Sequence, residues 1–169
     1  MKKLLALVCA MAMAACAFAA GPAVTSWDFS GNARAGSSVD GVSATKGGSQ
    51  LSSIVELKTN KTGSGATMSV LTASKCEWNG KLQFSTGKKE LDLFSITVNE
   101  PCTAVITVSS SSGSKSAGKV NTLKLDGKVI YDFDSLDAKD PTDKTVKLSK
   151  GENKFTGSGV SIHAVTVSK

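Results

Sequence analysis

The chain is poor in the residues from which catalytic and metal centres are usually built. It has one histidine, His163, and one arginine, Arg34, and its four cysteines include no Cys-x-x-Cys pair. A zinc centre draws on several Cys and His ligands, so none is expected. No Ser or Cys nucleophile with a matching histidine and acid can be assigned from spacing, and His163 is expected to face solvent from a strand. The sequence therefore identifies no catalytic centre.

Clustered arginine, helical periodicity and long apolar runs are also scarce. The net charge of +6 comes almost entirely from scattered lysines, whereas nucleic-acid surfaces concentrate Arg and Lys and interleave stacking aromatics. We therefore expect no nucleic-acid partner, and the lysines fit a solvated sheet surface or a modest attraction to anionic polysaccharide. Apolar residues hardly recur at helical spacing, and no transmembrane segment is expected after Ala20.

The first segment has the parts of an export signal. Two lysines precede an apolar run, and Ala-Phe-Ala at 17–19 matches the pattern that signal peptidase cleaves. Residues 1–19 are thus predicted to be a signal peptide and 20–169 a single domain of a secreted or periplasmic protein. An alternative is a loose lipobox ending at Cys16, whose lipidation would anchor the protein to a membrane.

What the sequence does contain is a series of short alternating strands. In the clearest stretch, 123–133, alternating apolar residues flank Asp126-Gly127, a pair that tolerates the positive φ of a two-residue hairpin turn. Asn79-Gly80 marks a second turn of this kind. Similar strands of β-branched residues, separated by Gly-containing turns, recur along the chain. This pattern predicts an all-β fold, an antiparallel β-sandwich of the jelly-roll type.

Aromatic side chains are the first candidates for ligand binding, because flat rings pack against the apolar face of a sugar. Trp27 alternates with Phe29 and is predicted to lie in the core. Trp78 stands beside a turn, where it is less easily buried, so Trp78 and Asn79 are candidate ligand contacts. Tyr131 is amphipathic and suits a sheet edge, and it is a further candidate.

A run of aspartates at the end of the hairpin is a candidate calcium site. Asp132, Asp134 and Asp137 would supply the oxygen ligands that Ca²⁺ binds. Their spacing is not that of an EF-hand, and solvated loop carboxylates are the alternative explanation. No other cofactor is expected.

Two cysteines, Cys76 and Cys102, remain once the predicted signal peptide is set aside. An even number of cysteines in an exported chain favours a disulfide, so a bridge between Cys76 and Cys102 is predicted. The alternative is a pair of free, buried thiols that behave as small apolar side chains.

Several short motifs follow one another in a consistent order. They are Trp27-Asp28-Phe29, Leu82-Gln83-Phe84, the apolar stretch 93–108, Leu125-Asp126-Gly127 and the final stretch 157–167. This order resembles the β-sandwich domain associated with bacterial secreted pectate lyases and other polysaccharide-degrading enzymes, although His163 stands where that family often has an aromatic. The resemblance implies a galactose-binding-like jelly roll with a non-catalytic, carbohydrate-binding function, directed to acidic polysaccharide. The alternatives are a structural or interaction protein of the bacterial envelope and a small pectate lyase.

Overall fold

A computed structural model describes the chain at residues 24–29, 33–34, 38–39, 42–43, 53–54, 58–60, 65–72, 76–78, 80–84, 89–111, 121–132 and 140–169. The predicted signal peptide with Cys16 lies outside the described residues, and so do Asn79, Asp134 and Asp137. Every regular element of the described part is a β-strand. None of the described residues forms a helix long and apolar enough to cross a membrane.

The described strands are β1 (Val24–Asp28), β2 (Ala33–Arg34), β3 (Ser38–Val39), β4 (Val42–Ser43), β5 (Ser53–Ile54), β6 (Lys58–Asn60), β7 (Thr67–Val70), β8 (Cys76–Trp78), β9 (Leu82–Phe84), β10 (Leu91–Val98), β11 (Cys102–Ser110), β12 (Thr122–Leu125), β13 (Lys128–Asp132), β14 (Thr142–Leu148), β15 (Gly151–Ser158) and β16 (Val160–Ser168).

Two sheets of seven strands each make up the sandwich. In the first, sheet I, the order is β14-β11-β16-β1-β6, and β9 with its partner β8 joins β16 beside β1. In the second, sheet II, the order is β13-β12-β15-β10-β7-β4-β3. All pairings in these sheets are antiparallel except that of β4 with β7, and β2 pairs with β5 apart from both. The predicted all-β sandwich is confirmed.

The strand order is that of a jelly roll. Sheet I contains the run β14-β11-β16-β1 and sheet II the run β13-β12-β15-β10. These eight strands are the two interleaved Greek keys that define the fold. The other strands of both sheets come from the segment between β1 and β10 and extend the sheets away from β13 and β14. The jelly-roll prediction is therefore confirmed, and β13 and β14 remain as edge strands on the same side of the sandwich.

The core between the sheets is apolar and contains most of the aromatic rings. Phe94 stacks on Phe155 within sheet II, with ring centroids 4.5 Å apart, and on Phe84 of sheet I at 6.2 Å. Trp27 is fully buried, as predicted from its alternation with Phe29. Offset aromatic pairs of this kind contribute roughly 1 kcal/mol each beyond the area they bury. The stacking of Phe84 on Phe94 thus packs sheet I against sheet II.

The two cysteines contradict the disulfide predicted from the sequence. Both are free and buried. Cys76 lies beside Phe84, which pairs with Val160 at the start of β16, whereas Cys102 precedes Thr103, the partner of Ser168 at the end of β16. Strands rise about 3.3 Å per residue, so the length of β16 separates the thiols by roughly 25 Å. A disulfide requires Cα atoms within about 7 Å of each other.

Reducing agent should therefore leave the stability of the protein unchanged. A bridge closing the loop from Cys76 to Cys102 would contribute about 3 kcal/mol, and its reduction would lower the melting temperature. Burial, assisted by the charge of Glu77, raises the pKa of the Cys76 thiol to about 12, so this thiol should react only after unfolding. Thermal melts with and without dithiothreitol, with thiol counts before and after denaturation, test this. A melting temperature that falls on reduction would contradict it.

Candidate functional site

A concavity lies between the two edge strands in the described part of the chain, and we call it the edge groove. Its volume is about 340 Å³. Because β13 ends sheet II and β14 ends sheet I, the sandwich is open along this side. The lining residues are Leu125, Lys128, Ile130, Thr145, Val146 and Lys147. The aliphatic residues form an apolar floor, and the two exposed lysines stand on opposite walls.

Turn chemistry explains how the β12–β13 wall of the edge groove is built. Leu125 pairs with Lys128 across a two-residue turn, in which Asp126 has φ 47° and Gly127 φ 81°. Positive φ at both central positions is the geometry that Asp-Gly favours, so the hairpin predicted from the sequence is confirmed. The turn places Lys128 at the start of β13, at the mouth of the groove.

The charge of the edge groove is unbalanced. The lining contains two lysines and no carboxylate, and neither Lys128 nor Lys147 forms an ion pair with another described residue. Three other described lysines form ion pairs: Lys124 with Glu90 at 2.5 Å, Lys154 with Asp92 at 3.2 Å, and Lys169 with Glu100. An apolar channel with unpaired ammonium groups on both walls favours an extended anionic ligand.

Tyr131 lies next to the edge groove, but its ring is not free to stack on a ligand. The residue is 9% exposed, and Lys144 Nζ lies 5.2 Å from the ring centroid, a cation–π distance. Burial raises the pKa of Tyr131 to about 12, against the opposite effect of a hydrogen bond with Thr142. The phenol therefore stays protonated at neutral pH, and one face of its ring is covered by the Lys144 ammonium group.

Trp78 lies in the core, although its place beside a turn indicated exposure. It is 5% exposed, its Nε1 donates to Phe29 O at 3.2 Å, and its ring meets the Phe29 ring edge-on at 5.6 Å. The expectation of an exposed indole is therefore wrong. The reason is that β8 alternates, so the exposed side chain is Glu77 and the indole turns inward. The β8–β9 hairpin also joins sheet I on the side away from β14, so Trp78 and Tyr131 do not share a site.

The remaining sequence candidates are only partly within the described residues. Asp132 ends β13 and is exposed to solvent. Asn79, Asp134 and Asp137 fall outside, so the ligand and calcium predictions that include them stay predictions. Within the described ranges, no three His, Cys, Asp or Glu side chains come together as a metal site.

His163 occupies an irregularity in β16 that the sequence does not reveal. Thr107 pairs with Ala164 and Val108 with Ile162, so His163 is the extra residue of a β-bulge. Bulges re-aim side chains, and here the half-buried imidazole reaches Ser109 Oγ, 2.8 Å from its Nε2. Burial, with a smaller effect of Lys81, lowers the pKa of His163. The ring is therefore neutral at pH 7. The sequence analysis expected it to be exposed to solvent, but it is half-buried.

A second, shallower depression on sheet II does not suit acid–base catalysis. Its volume is about 610 Å³, and it includes Glu90 and Asp92. Glu90 accepts hydrogen bonds from Lys124 at 2.5 Å and Thr156 at 2.7 Å, which hold the pKa of its carboxyl below the usual value. A glycosidase acid requires a raised pKa, so Glu90 is tuned in the opposite direction.

Comparison with protein-family models, with curated proteins and with solved structures found no match. The resemblance to domains associated with pectate lyases therefore stays a prediction. Jelly rolls host many unrelated functions, so the fold alone does not assign one. The lysines of the edge groove were not predicted as site residues, because sequence does not show that β13 and β14 become facing edges. The local signal was a lysine next to apolar residues in each of the two strands.

Proposed function

We propose that this protein is a non-catalytic binding module that holds an acidic polysaccharide in the edge groove. The observation that carries the proposal is the pairing of an apolar floor with unpaired lysines, Lys128 and Lys147, on the two walls. A polyuronate chain has both complementary features. Its carboxylates can contact the ammonium groups, and the C–H faces of its sugar rings can pack on the aliphatic floor. The predicted export signal and the family resemblance support the same class of ligand.

Binding of this kind depends on charge more than on ring stacking. In the described part of the chain both tryptophans are buried and Tyr131 is covered, so no aromatic platform is exposed there. Exposed ion pairs contribute up to about 1 kcal/mol each and are screened by salt. Affinity should therefore fall as salt rises, and neutral polysaccharides should bind much more weakly than acidic ones.

Replacing both groove lysines with glutamine should weaken binding to polygalacturonate roughly tenfold, because two ion pairs are lost. Titration calorimetry or affinity electrophoresis of the wild type and K128Q/K147Q, in low salt, measures this. The matched control is K81Q/K89Q, which removes the same charge. Lys81 precedes β9 and Lys89 precedes β10, and these strands lie away from both edge strands.

Two results would overturn the proposal. One is a wild-type protein that is retained by no member of a panel of acidic polysaccharides at low salt. The other is an equal loss of affinity in K81Q/K89Q, since this would show attraction to net charge and no role for the edge groove.

A second candidate function, an interaction protein of the bacterial envelope, is favoured by the free edges themselves. In the described part of the chain β13 and β14 each pair with a strand on one side only. Such edges can accept a strand from another protein by main-chain hydrogen bonding. Recovery of an envelope protein in a pull-down, together with an empty glycan array, would support this function in place of polysaccharide binding.

A further inference from the structure

A chain of contacts that begins at His163 fastens the end of β1, and we call these contacts the His163 latch. The backbone N of Phe29, just after β1, donates to His163 O at 3.0 Å. Phe29 O in turn accepts the indole N–H of Trp78 at 3.2 Å, and the two rings meet edge-on. The latch thus connects three strands: His163 lies in β16, Phe29 follows β1, and Trp78 lies in β8.

The latch lies where sheet I divides. One side of β16 pairs with two different strands, because β9 takes 160–162 and β1 takes 164–168. His163 is the residue between these two pairings, and it has no partner on β11 because of the bulge. Its backbone position is therefore held by the carbonyl bond to Phe29 and by the side-chain bond to Ser109. A change in the protonation of the imidazole therefore acts on the backbone of the bulge, which these two hydrogen bonds restrain.

The surroundings of the imidazole disfavour a second positive charge. Half-burial of the ring imposes a desolvation cost on the charged form, and the charge of Lys81, just before β9, adds a smaller effect in the same direction. From the other elements packed against it, β11 presents the neutral Ser109, β8 carries Glu77 and β1 carries Asp28. Neither carboxylate offsets the effect of burial and Lys81, since the pKa of His163 is lowered below 6.5.

We propose that His163 makes the attachment of β1 to sheet I acid-sensitive: protonation expels the imidazole from its place beside Ser109 and loosens Phe29 and Trp78. The imidazolium regains its hydration by turning toward solvent, and the bulge then loses its side-chain anchor. The hydrogen bond from Phe29 N to His163 O is weakened as a result. This device is separate from the edge groove, which lies at the β14 edge of sheet I and includes no residue of the latch.

The sign of the effect follows from the direction of the shift. The folded protein binds the proton less well than the unfolded chain, so the stabilising contribution is complete above pH 6.5 and is lost as the pH falls through the lower, folded-state pKa. His163 is the only histidine. Carboxylates titrate near pH 4 and α-amino groups near pH 8, so a transition between pH 5 and 7 belongs to His163.

The test is hydrogen exchange at the Phe29 amide together with tryptophan fluorescence, measured on the full chain between pH 7.5 and 5. After correction for intrinsic exchange, the Phe29 amide should exchange measurably faster at pH 5 than at pH 7.5, because protonation of His163 weakens the bond from Phe29 N to His163 O. The fluorescence should change over the same range because Trp78 is part of the latch. His163→Gln keeps a neutral hydrogen-bonding side chain and should abolish both changes.

Lys81→Gln should move the midpoint to higher pH, with Lys89→Gln as the control of equal charge that leaves it in place. If His163→Gln does not fold, NMR titration of the His163 ring in the wild type gives the midpoint that the exchange data must match. A wild type with no transition between pH 5 and 7, or one whose transition persists in His163→Gln, would overturn the proposal.

Discussion

Gly157→Ala is expected to lower the free energy of unfolding by about 3 kcal/mol or more, the upper range for overpacking. Gly157 lies in the middle of sheet II, paired with Leu91 on one side and Leu123 on the other. A Cβ at this position would lie 2.0 Å from the carbonyl oxygen of Thr122 and 3.1 Å from its carbon. These are backbone atoms of β12, so relief requires separation of the β12–β15 ladder.

Chemical denaturation of Gly157→Ala against the wild type measures this effect. Gly127→Ala is the matched control, because its Cβ would meet nothing within 4 Å although φ is +81°. That variant has only the cost of the left-handed conformation, about 1–2 kcal/mol. If Gly157→Ala proved as stable as Gly127→Ala, the close approach of the two backbones would be refuted.

Asn153→Ala is expected to cost about 2–4 kcal/mol, because it removes one buried amide that serves several backbone groups. Asn153 is 1% exposed. Its Nδ2 lies within hydrogen-bond distance of the carbonyls of Ser149 (2.8 Å), Gly151 (3.0 Å) and Ile96 (3.2 Å), and its Oδ1 accepts from Ser149 N at 2.9 Å. The side chain therefore ties the β14–β15 turn to β10.

Asn153→Asp distinguishes hydrogen bonding from simple packing. The carboxylate has nearly the same shape but cannot donate, and it would place a negative charge against three carbonyl oxygens. We expect it to be at least as destabilising as Asn153→Ala in denaturant titrations. An aspartate variant close to wild-type stability would mean that the amide donors do not hold the turn.

Local sequence patterns predicted the strands and the Asp126-Gly127 turn well. The Asp126-Gly127 hairpin forms as expected, since its φ values depend only on the two central residues. The alternation of Trp27 with Phe29 correctly indicated a buried face. These features are decided by neighbouring residues, so a single sequence is sufficient to predict them.

Two predictions about individual side chains failed, although the jelly-roll order of the strands was predicted correctly. Cys76 and Cys102 were expected to form a disulfide because an exported chain with an even number of cysteines favours one. The strands that contain them, β8 and β11, place them near opposite ends of β16. Trp78 was expected to be exposed because it adjoins a turn, but the inward face of β8 contains the indole. The separation of the two cysteines cannot be deduced from local composition, whereas the inward position of Trp78 follows from the alternation of β8.

The edge groove and the His163 latch depend on the same long-range order. The groove exists because β13 and β14 end different sheets on the same side, and the latch because a bulge interrupts the pairing of β16 with β11. The amino-acid composition indicates neither the edge groove nor the His163 latch. From the sequence we could therefore name candidate residues by their type, but we could not predict which of them lie close together in the fold.

The place of β16 in sheet I has a consequence for how the molecule assembles. β16 is the last described strand of the chain, yet it lies at the centre of sheet I, where it joins β11 and β14 to β1, β6, β8 and β9. Until residues 160–168 have been synthesised, these two groups of strands have no common partner. The closing contact joins Val24 to Ser168, and such distant pairings place folding in the range of milliseconds to seconds. The pairing of β16 is thus the step that joins the described strands of sheet I into one sheet.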